Sequence, residues 1–282
     1  MKFPLFLARR FVAGEHLQDA LRVAREFKAK AIFVTLDHLG EDVTNRQKAR
    51  RATAVYLHIL DVLHRERSQA DISIKLSQIG LALDKKLALQ HAMQIVQRGK
   101  RYGVMVEIDM ESSRYTDDTL DIFFRLMKKH KNTMVALQAY LHRSMDDAVQ
   151  IVKRRGAIRL VKGGYKEPPT LAFKKKEDTN KNYRKIMKLF LKKGRFLAIA
   201  THDEKIVREA QSFIKKNKIS TKKYMFQMLY GIRRDLQEEL AREGYHVRVY
   251  VPYGTEWFPY YWRRIRERKE NFFFVLRHLF RR

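Results

Sequence analysis

Short apolar, β-branched runs alternate along the chain with longer segments whose apolar positions recur every three or four residues. Each run is followed by a segment of helical periodicity, for example "DKKLALQHAMQIVQRGK" at 84–100. Strands that alternate with helices predict βαβ units and parallel strand pairing. Eight strands are predicted, at 31–37, 71–76, 103–110, 132–140, 157–163, 195–203, 223–229 and 246–254.

The number of these units predicts how the sheet closes. Eight even βα units predict an α/β fold of the (β/α)8 TIM-barrel type, an architecture that commonly takes about 250 residues. The chain has 282 residues and no composition shift that would mark a linker, so we expect residues 1–282 to form one domain. An open doubly wound sheet is the alternative, but the chain lacks the Gly-rich first turn that is typical of that fold.

Polar residues occupy the carboxyl ends of all eight predicted strands. In a barrel of this kind the active site lies where the strands end, so these side chains are expected to converge on one mouth. Such a set of polar groups predicts a functional site. The residues are Asp37, Lys75, Asp109, Gln138, Lys162, His202, Gln227 and Tyr250.

The residue types at this mouth exclude several kinds of chemistry. The chain has no cysteine, which excludes thiolate metal sites, a cysteine nucleophile and disulfides, and is typical of a reducing compartment. Only His202 among the scattered histidines lies at a strand end, so no metal site is expected, and no serine is arranged as a nucleophile beside a histidine. Gly163 and Gly164 follow strand five, where backbone can approach a ligand closely. Together with Lys162 and Arg159 they indicate an anionic or electron-rich ligand, such as a phosphate-bearing cofactor.

The chain is strongly basic, with 60 Lys and Arg against 31 Asp and Glu and a net charge of +29. Such an excess suggests attraction to nucleic acid or to a phospholipid surface. Without a zinc-finger, RRM or KH signature, we expect no specific nucleic acid as a partner. Lysines that solvate helix faces are the favoured explanation, and attraction to a membrane surface is the second. No apolar run approaches the ~20 residues of a membrane span, which predicts a cytoplasmic protein with, at most, peripheral contact at the inner face of the plasma membrane.

A short helix is predicted near the end of the chain, with an unusual polar face. Tyr260, Arg263, Arg264 and Glu267 have the spacing of residues that share one side of a helix. This face could be solvated surface, a phosphate site or a receptor for a small carboxylate. The apolar and basic tail "NFFFVLRHLFRR" at 271–282 is interpreted first as a helix docked on the barrel and second as a membrane-facing patch.

The blocks at these strand ends resemble one known family, the flavin-dependent proline dehydrogenases, and in particular its monofunctional bacterial members. They occur in the order of the family and cover nearly the whole chain. They are "FVAGE" at 11–15, "TLDHLGE" at 35–41, "SIKLSQIG" at 73–80, "EIDME" at 107–111, "ALQAYLHRSMDD" at 136–147, "IRLVKGGYKE" at 158–167, "IATHD" at 199–203, "FQMLYGIR" at 226–233, "RVYVPYG" at 248–254 and "YYWRRIRER" at 260–268. Two positions depart from the family pattern, because Gly164 stands where Ala is usual and Met225 where Glu is usual.

The resemblance implies a flavoenzyme of proline catabolism. It implies that FAD binds across the barrel mouth, that L-proline is oxidised to Δ1-pyrroline-5-carboxylate by hydride transfer to flavin N5, and that a quinone takes up the electrons. A functional link to a pyrroline-5-carboxylate dehydrogenase would follow. Two other functions remain open: a related flavoenzyme for another cyclic imino acid, and a basic nucleic-acid-binding barrel that has lost the chemistry.

The same resemblance implies roles for individual residues. Arg263 and Arg264 would hold the proline carboxylate, with Lys75 on its other side, while Glu41 pairs with the first arginine and Glu267 braces the second. The residues implied for the substrate are Lys75, Tyr250, Tyr260, Arg263, Arg264, Leu229, Glu41 and Glu267. Those implied for the flavin are Met110, Gln138, Val161, Lys162, Gly163, Gly164, Thr201 and His202. Asp109 and Arg159 would be catalytic, with Arg159 near flavin N5; the simpler interpretation of Asp109 is an ion-pair partner for Lys75.

Overall fold

The computed structural model describes the backbone of residues 8–267 and the side chains of residues 8–262. The tail at 271–282 and the side chains of Arg263, Arg264 and Glu267 therefore lie outside the described residues.

Eight parallel strands close into a barrel in which each strand pairs with its neighbours in chain order and the last pairs with the first. This topology confirms the predicted (β/α)8 fold. The strands are β1 (Phe33–His38), β2 (Asp71–Ile74), β3 (Val106–Ile108), β4 (Thr133–Gln138), β5 (Ala157–Val161), β6 (Phe196–Ala200), β7 (Tyr224–Leu229) and β8 (Val247–Tyr253).

Nine α-helices are present in the described part of the chain, and most of them cover the outside of the barrel. They are α1 (Leu17–Lys28), α2 (Arg46–Arg65), α3 (Lys85–Tyr102), α4 (Thr116–Lys129), α5 (Ser144–Lys153), α6 (Lys176–Lys193), α7 (Glu204–Lys216), α8 (Arg234–Arg242) and α9 (Trp257–Glu267). Helix α1 precedes the first strand and packs against both β1 and β8, so it covers the seam where the barrel closes. Helix α9 follows the last strand and reaches the barrel mouth, where its Tyr260 lines the cavity described below.

Helix α3 illustrates how local sequence sets the bounds of an element. The side chain of Asp84 accepts a 2.8 Å hydrogen bond from the backbone N–H of Lys86, which caps the first turn. Gly103 ends the helix in the left-handed region, at φ 73°, a conformation that glycine adopts without strain. The prediction that Gly103 begins a strand is therefore wrong, because this residue is the helix cap and β3 begins only at Val106.

Met225, one of the two positions at which the chain departs from the family pattern, lies near the base of the barrel on β7. Arg248 of β8 donates through Nε to the Met225 sulfur at 3.3 Å, and its guanidinium forms an ion pair with Asp71 of β2. The positive charge of Arg248 is thus paired across β1 rather than by its neighbour on β7. This arrangement keeps a buried cation compensated without an acidic residue at position 225.

Candidate active site

A cavity of about 840 Å³ opens at the carboxyl ends of the strands, within the size range of small-molecule sites. Of the eighteen residues to which the family resemblance gave a role, fourteen line this cavity. From the proposed substrate set these are Lys75, Leu229, Tyr250 and Tyr260, and both Asp109 and Arg159 accompany them. From the proposed flavin set they are Met110, Gln138, Val161, Lys162, Gly163, Gly164, Thr201 and His202.

Arg159 and Asp109, which line this cavity, form a buried ion-pair cluster with Glu107. Glu107 lies on β3 and Asp109 directly follows that strand, two residues further on, so both side chains point into the barrel. The Arg159 guanidinium, from β5, donates through Nη1 to Glu107 at 2.8 Å and through Nη2 to Asp109 at 2.5 Å. The intervening strand β4 carries Ala136 beside Arg159, and this small side chain leaves room for the contact.

Glu107 is held from two further strands. It accepts a 2.7 Å hydrogen bond from the Thr35 hydroxyl of β1 and a 3.1 Å hydrogen bond from Nε2 of Gln227 on β7. The side chain is 1% exposed. Four strands of the barrel therefore meet at this one carboxylate, which fixes the Arg159 head group in place.

Lys75 and Tyr250 complete the charged cluster on the other side of Asp109. The Lys75 ammonium lies 2.8 Å from the Asp37 carboxylate and 3.1 Å from that of Asp109. The Tyr250 hydroxyl donates to Asp109 at 2.7 Å, and the Arg159 guanidinium stacks over the Tyr250 ring at 4.8 Å from its centroid. Asp109 thus pairs with Lys75, as the simpler interpretation expected, but it also binds Arg159 and Tyr250.

The ionisation states in this cluster follow from burial and from these contacts. Burial by itself would raise the pKa of Asp109, but the charges of Lys75 and Arg159 outweigh it and hold that pKa well below its usual range. Burial likewise disfavours charge on Lys75 and Arg159, yet their carboxylate partners keep both pKa values above normal. At neutral pH the cavity floor therefore presents two fixed cations and an ionised aspartate.

Several buried side-chain atoms of residues that line the cavity have no hydrogen-bond partner among the described residues. They include Nε of Arg159, Oε1 of Gln138, Oε1 of Gln227 and Oδ1 of Asn180. Buried polar atoms in proteins are nearly always paired, so unpaired ones beside a cavity are matched by a ligand that both donates and accepts. The flavin ring system has donors and acceptors along its edge, and the residues present therefore fit this cofactor.

The segment after β5 brings backbone close to the cavity. Gly163 has φ 114°, and a Cβ atom there would lie 2.1 Å from Cδ1 of the Tyr140 ring. Only glycine fits this position, because any side chain would be both strained and in collision. Next to it, the Lys162 ammonium pairs with Asp203 at 2.8 Å at the rim of the cavity.

His202 lies in the loop after β6 and faces the same cavity. Its Nε2 accepts a 2.9 Å hydrogen bond from the backbone N–H of Leu229, which assigns the ring proton of the neutral form to Nδ1. The contact joins the end of β7 to the β6 loop. The preceding residue, Thr201, accepts a 3.1 Å hydrogen bond from the backbone N–H of Asp203.

Aromatic packing and a hydrogen bond from Trp257 hold helix α9 at the mouth. The Trp257 indole donates to Glu15 at 3.1 Å, and the Tyr261 ring lies 6.3 Å from that of Phe11. The helical backbone of α9 extends through positions 263, 264 and 267, as the spacing predicted. The side chains of these three residues lie outside the described part of the chain.

Glu41 lies at the rim rather than in the cavity lining. It belongs to the loop after β1, and its carboxylate accepts a 3.4 Å hydrogen bond from the Tyr165 hydroxyl. Its expected partner, the side chain of Arg263, is not described. The structure therefore brings Glu41 to the β5 loop.

Three residues of the cluster had no role assigned from the sequence. Asp37 and Gln227 were recognised only as strand ends, and Glu107 only as part of a motif. The available signal was the spacing of Glu107 and Asp109, because two acidic residues at i and i+2 of a barrel strand point to the same interior. Among the described residues, no group of three or more histidine and carboxylate side chains is arranged to hold a metal ion.

A parallel barrel with a charged cavity at the carboxyl ends of its strands defines an enzyme of the α/β-barrel class. The model of the proline dehydrogenase family matches residues 20–277. Proline dehydrogenase 1 of Bacillus subtilis (strain 168) is 37% identical over 270 residues, which cover 96% of this chain and 89% of that protein. The proline dehydrogenase of Deinococcus radiodurans is 39% identical over 277 residues, with the same shares covered. The chain belongs to the proline dehydrogenase family.

Solved structures of longer proteins share the fold. Proline utilization A from Bdellovibrio bacteriovorus, inactivated by N-propargylglycine, superposes with a TM-score of 0.87 at 23% identity over 93% of this chain. A bifunctional proline utilization A protein gives a TM-score of 0.79 at 21% identity. This chain spans 32% and 31% of their lengths. Among the described residues, no helix combines the length and the apolar character needed to cross a bilayer.

Proposed function

We propose that this chain oxidises L-proline to Δ1-pyrroline-5-carboxylate, with FAD bound in the barrel cavity and a quinone as the final electron acceptor. Family membership supports proline oxidation as a step of proline catabolism. The observation that supports the finer proposal is the pair of fixed cations, Lys75 and Arg159, held by Asp109 on the cavity floor.

In this proposal the substrate lies between Lys75 and helix α9. Lys75 and the side chains of Arg263 and Arg264 bind the carboxylate, because paired guanidinium forks and an ammonium fix both oxygens in one orientation. Tyr250, Tyr260 and Leu229 surround the apolar ring. Glu41 and Glu267 have the role of partners for the two arginines. Held in this way, the substrate presents one ring C–H bond in a fixed direction, and this positioning supplies much of the rate.

The flavin is assigned to the other side of the cavity. When bound, FAD supplies N5 as the hydride acceptor. Gln138 Oε1 and Arg159 Nε are the buried atoms without partners that fit its polar edge. Gly163 and Gly164 allow backbone to approach it, while Lys162 at the rim is a cation suited to its phosphates. The remaining residues of the flavin set are Met110, Val161, Thr201 and His202.

Arg159 and Asp109 have separate roles in this assignment. A guanidinium that keeps its charge under all conditions stabilises negative charge that develops beside it during reduction. Asp109 binds Lys75, Arg159 and Tyr250, and so orients the substrate-binding cation, the flavin-side cation and one aromatic wall together.

The proposed electron acceptor requires contact with a membrane. A quinone is dissolved in the bilayer, so the reduced enzyme must approach the bilayer to transfer its electrons. The net charge of +29, together with Phe258 and Trp262 on α9, which are 47% and 41% exposed, supports peripheral contact with an anionic phospholipid surface. The product would be passed to a pyrroline-5-carboxylate dehydrogenase.

An anaerobic flavin spectrum tests the proposal. The purified protein, loaded with FAD, is expected to show the visible bands of an oxidised flavin and to lose them when L-proline is added. Addition of a membrane-soluble quinone analogue should restore the bands. Pipecolate and azetidine-2-carboxylate in the same assay identify activity on another ring size. A preparation that takes up no FAD, or whose bands survive proline, contradicts the proposal, and salt-sensitive binding of arbitrary DNA would then favour the nucleic-acid alternative.

A further inference from the structure

We infer that the Asp37 carboxylate accepts the proton that the substrate ammonium must lose before its C–H bond can be oxidised. The inference rests on the proposed function, in which a cyclic imino acid binds beside Lys75. Asp37 lies near the end of β1, is 1% exposed overall and borders the cavity. None of the roles proposed above uses it.

The charges of the cluster do not balance, and this imbalance identifies Asp37. Among the described residues, three carboxylates, Asp37, Glu107 and Asp109, share two cations, Lys75 and Arg159, which leaves a net charge of −1 (three negative charges against two positive). Arg159 binds only Glu107 and Asp109 within this group. Asp37 therefore depends on Lys75, and it shares that ammonium with Asp109.

Asp37 is buried and shares the Lys75 ammonium with Asp109, so its anionic form is the least stabilised in the cluster. Asp37 is consequently the group to which a proton is added most easily. Burial raises its pKa against the opposing effect of Lys75, whereas the pKa of Asp109 is depressed. In many active sites, two neighbouring carboxyls have pKa values shifted in opposite directions, and the two groups then have different roles. Here Asp37 has the raised pKa of a proton acceptor, and Asp109 stays ionised.

The other groups around Asp37 are less suited to the task. The carboxylates around Lys75 hold its pKa above normal against the opposing effect of burial, so it keeps its proton. Burial raises the pKa of Tyr250 well above its usual value, so this phenol stays neutral. The described titratable groups that face or electrostatically influence Asp37 are Lys75 directly after β2, Asp109 directly after β3, Tyr250 and Tyr253 on β8, Tyr56 on α2 and His38 on β1 itself.

Substrate binding strengthens the acceptor. When the substrate carboxylate binds Lys75, it competes with Asp37 for the cation that Asp37 contacts in the described part of the chain, and the basicity of Asp37 rises as the ammonium arrives. The substrate N–H bond then breaks, its proton goes to a carboxylate oxygen of Asp37, and nitrogen keeps the electron pair. That pair forms the C=N bond as the ring C–H bond breaks, and the hydride leaves with two electrons to FAD. The product departs as an iminium ion, and Asp37 returns its proton to water.

The first test measures protons without turnover. Cyclopentanecarboxylate has the ring and the carboxylate of the substrate but no amine, so it would occupy Lys75 without delivering a proton. Its binding to the FAD-loaded enzyme, followed by calorimetry in buffers of different ionisation enthalpy, is expected to take up as much as about one proton per site at pH 7. The Asp37→Asn variant is expected to bind the same ligand with no uptake. Equal uptake by both proteins would overturn the inference.

The second test measures the pH dependence of flavin reduction by L-proline. In the wild type the second-order rate constant should level off above the pKa of Asp37. In Asp37→Asn it should be about 10²- to 10⁴-fold lower at pH 7 and rise tenfold per pH unit, because only substrate that is already neutral can react. Asp37→Glu should restore the plateau, and flavin content measured in each variant separates misfolding from loss of the base.

The outcomes distinguish this inference from the proposed function. If L-proline bleaches the wild-type flavin and Asp37→Asn has the same pH profile, only the role of Asp37 is wrong. If L-proline does not bleach the wild-type flavin, the proposed function itself is wrong.

Discussion

Glu107 and Arg159 form a buried ion pair in which Oε2 of Glu107 accepts a 2.8 Å hydrogen bond from the guanidinium, and their side chains are 1% and 9% exposed. Thr35 and Gln227 donate to the same carboxylate. Removing one member of a buried pair leaves an uncompensated charge, which is far more costly than loss of an ion pair at the surface.

We therefore predict that Glu107→Ala lowers the free energy of unfolding by about 3–5 kcal/mol, measured by denaturant titration of the FAD-loaded protein. Asp117→Ala is the matched control, because Asp117 also pairs with an arginine, Arg143, but is 82% exposed. The control should lose at most about 1 kcal/mol. If both variants lost the same free energy of unfolding, the buried Glu107–Arg159 pair would stabilise the fold no more than a surface ion pair does.

Gly163 gives a second prediction, about the cofactor. Gly163→Ala places a Cβ against the Tyr140 ring at φ 114°, so the loop that borders the flavin side of the cavity must move. We expect the variant to retain little bound FAD after gel filtration, and its affinity for FAD to fall at least about tenfold.

Gly103→Ala is the control for this substitution. Gly103 also has positive φ, 73°, but an added Cβ would meet no atom within 4 Å. It should cost about 1 kcal/mol of stability and leave FAD binding unchanged. If Gly163→Ala keeps a full complement of flavin, the proposed position of the cofactor is incorrect.

The substrate arginines give a third prediction. Arg263→Met should raise the KM for L-proline by about 10- to 100-fold, since a charge-assisted hydrogen bond contributes about 1.5–3 kcal/mol. Bound flavin should be unaffected. Arg154→Met, in an exposed arginine that packs over Phe124 on the outside of the barrel, should change neither quantity. Steady-state kinetics and the flavin-to-protein absorbance ratio provide the measurements, and loss of flavin with an unchanged KM would refute the assignment.

The barrel could be predicted from the sequence because its repeating pattern is local, whereas the charged cluster depends on distant partners. Each strand–helix unit carries its own hydrophobic period, and the parallel strands bring Lys75, Asp109 and Arg159 to one mouth. Glu107 has the sequence signature of any acidic strand residue, and its partners Thr35, Arg159 and Gln227 are 72, 52 and 120 positions away. Gly103 was assigned to a strand because the pattern of hydrophobic residues does not distinguish a glycine that caps a helix from one that begins a strand.

Glu111 gives a prediction about the pH dependence of stability. Its carboxyl is buried and accepts hydrogen bonds from the backbone N–H and the hydroxyl of Ser77, whose hydroxyl oxygen also accepts from the backbone N–H of Asp42. Burial raises the pKa of Glu111 to about 7 from a usual value of 4.5. The folded protein therefore binds this proton more tightly than the unfolded chain does. The resulting stabilisation is complete below about pH 4.5 and is lost as the pH rises to about 7.

Glu111→Gln, which mimics the protonated side chain, should remove this contribution. The difference in unfolding free energy, variant minus wild type, should rise by as much as about 1.4 kcal/mol per pH unit between pH 5 and 7 and stay constant above pH 8. Denaturant titrations at pH 5, 6, 7 and 8 provide the measurement. Asp117→Asn at the surface should give a nearly flat difference over the same range. A flat difference for Glu111→Gln as well would mean that Glu111 is ionised throughout this range, and that its contacts with Ser77 outweigh the cost of burying the charge.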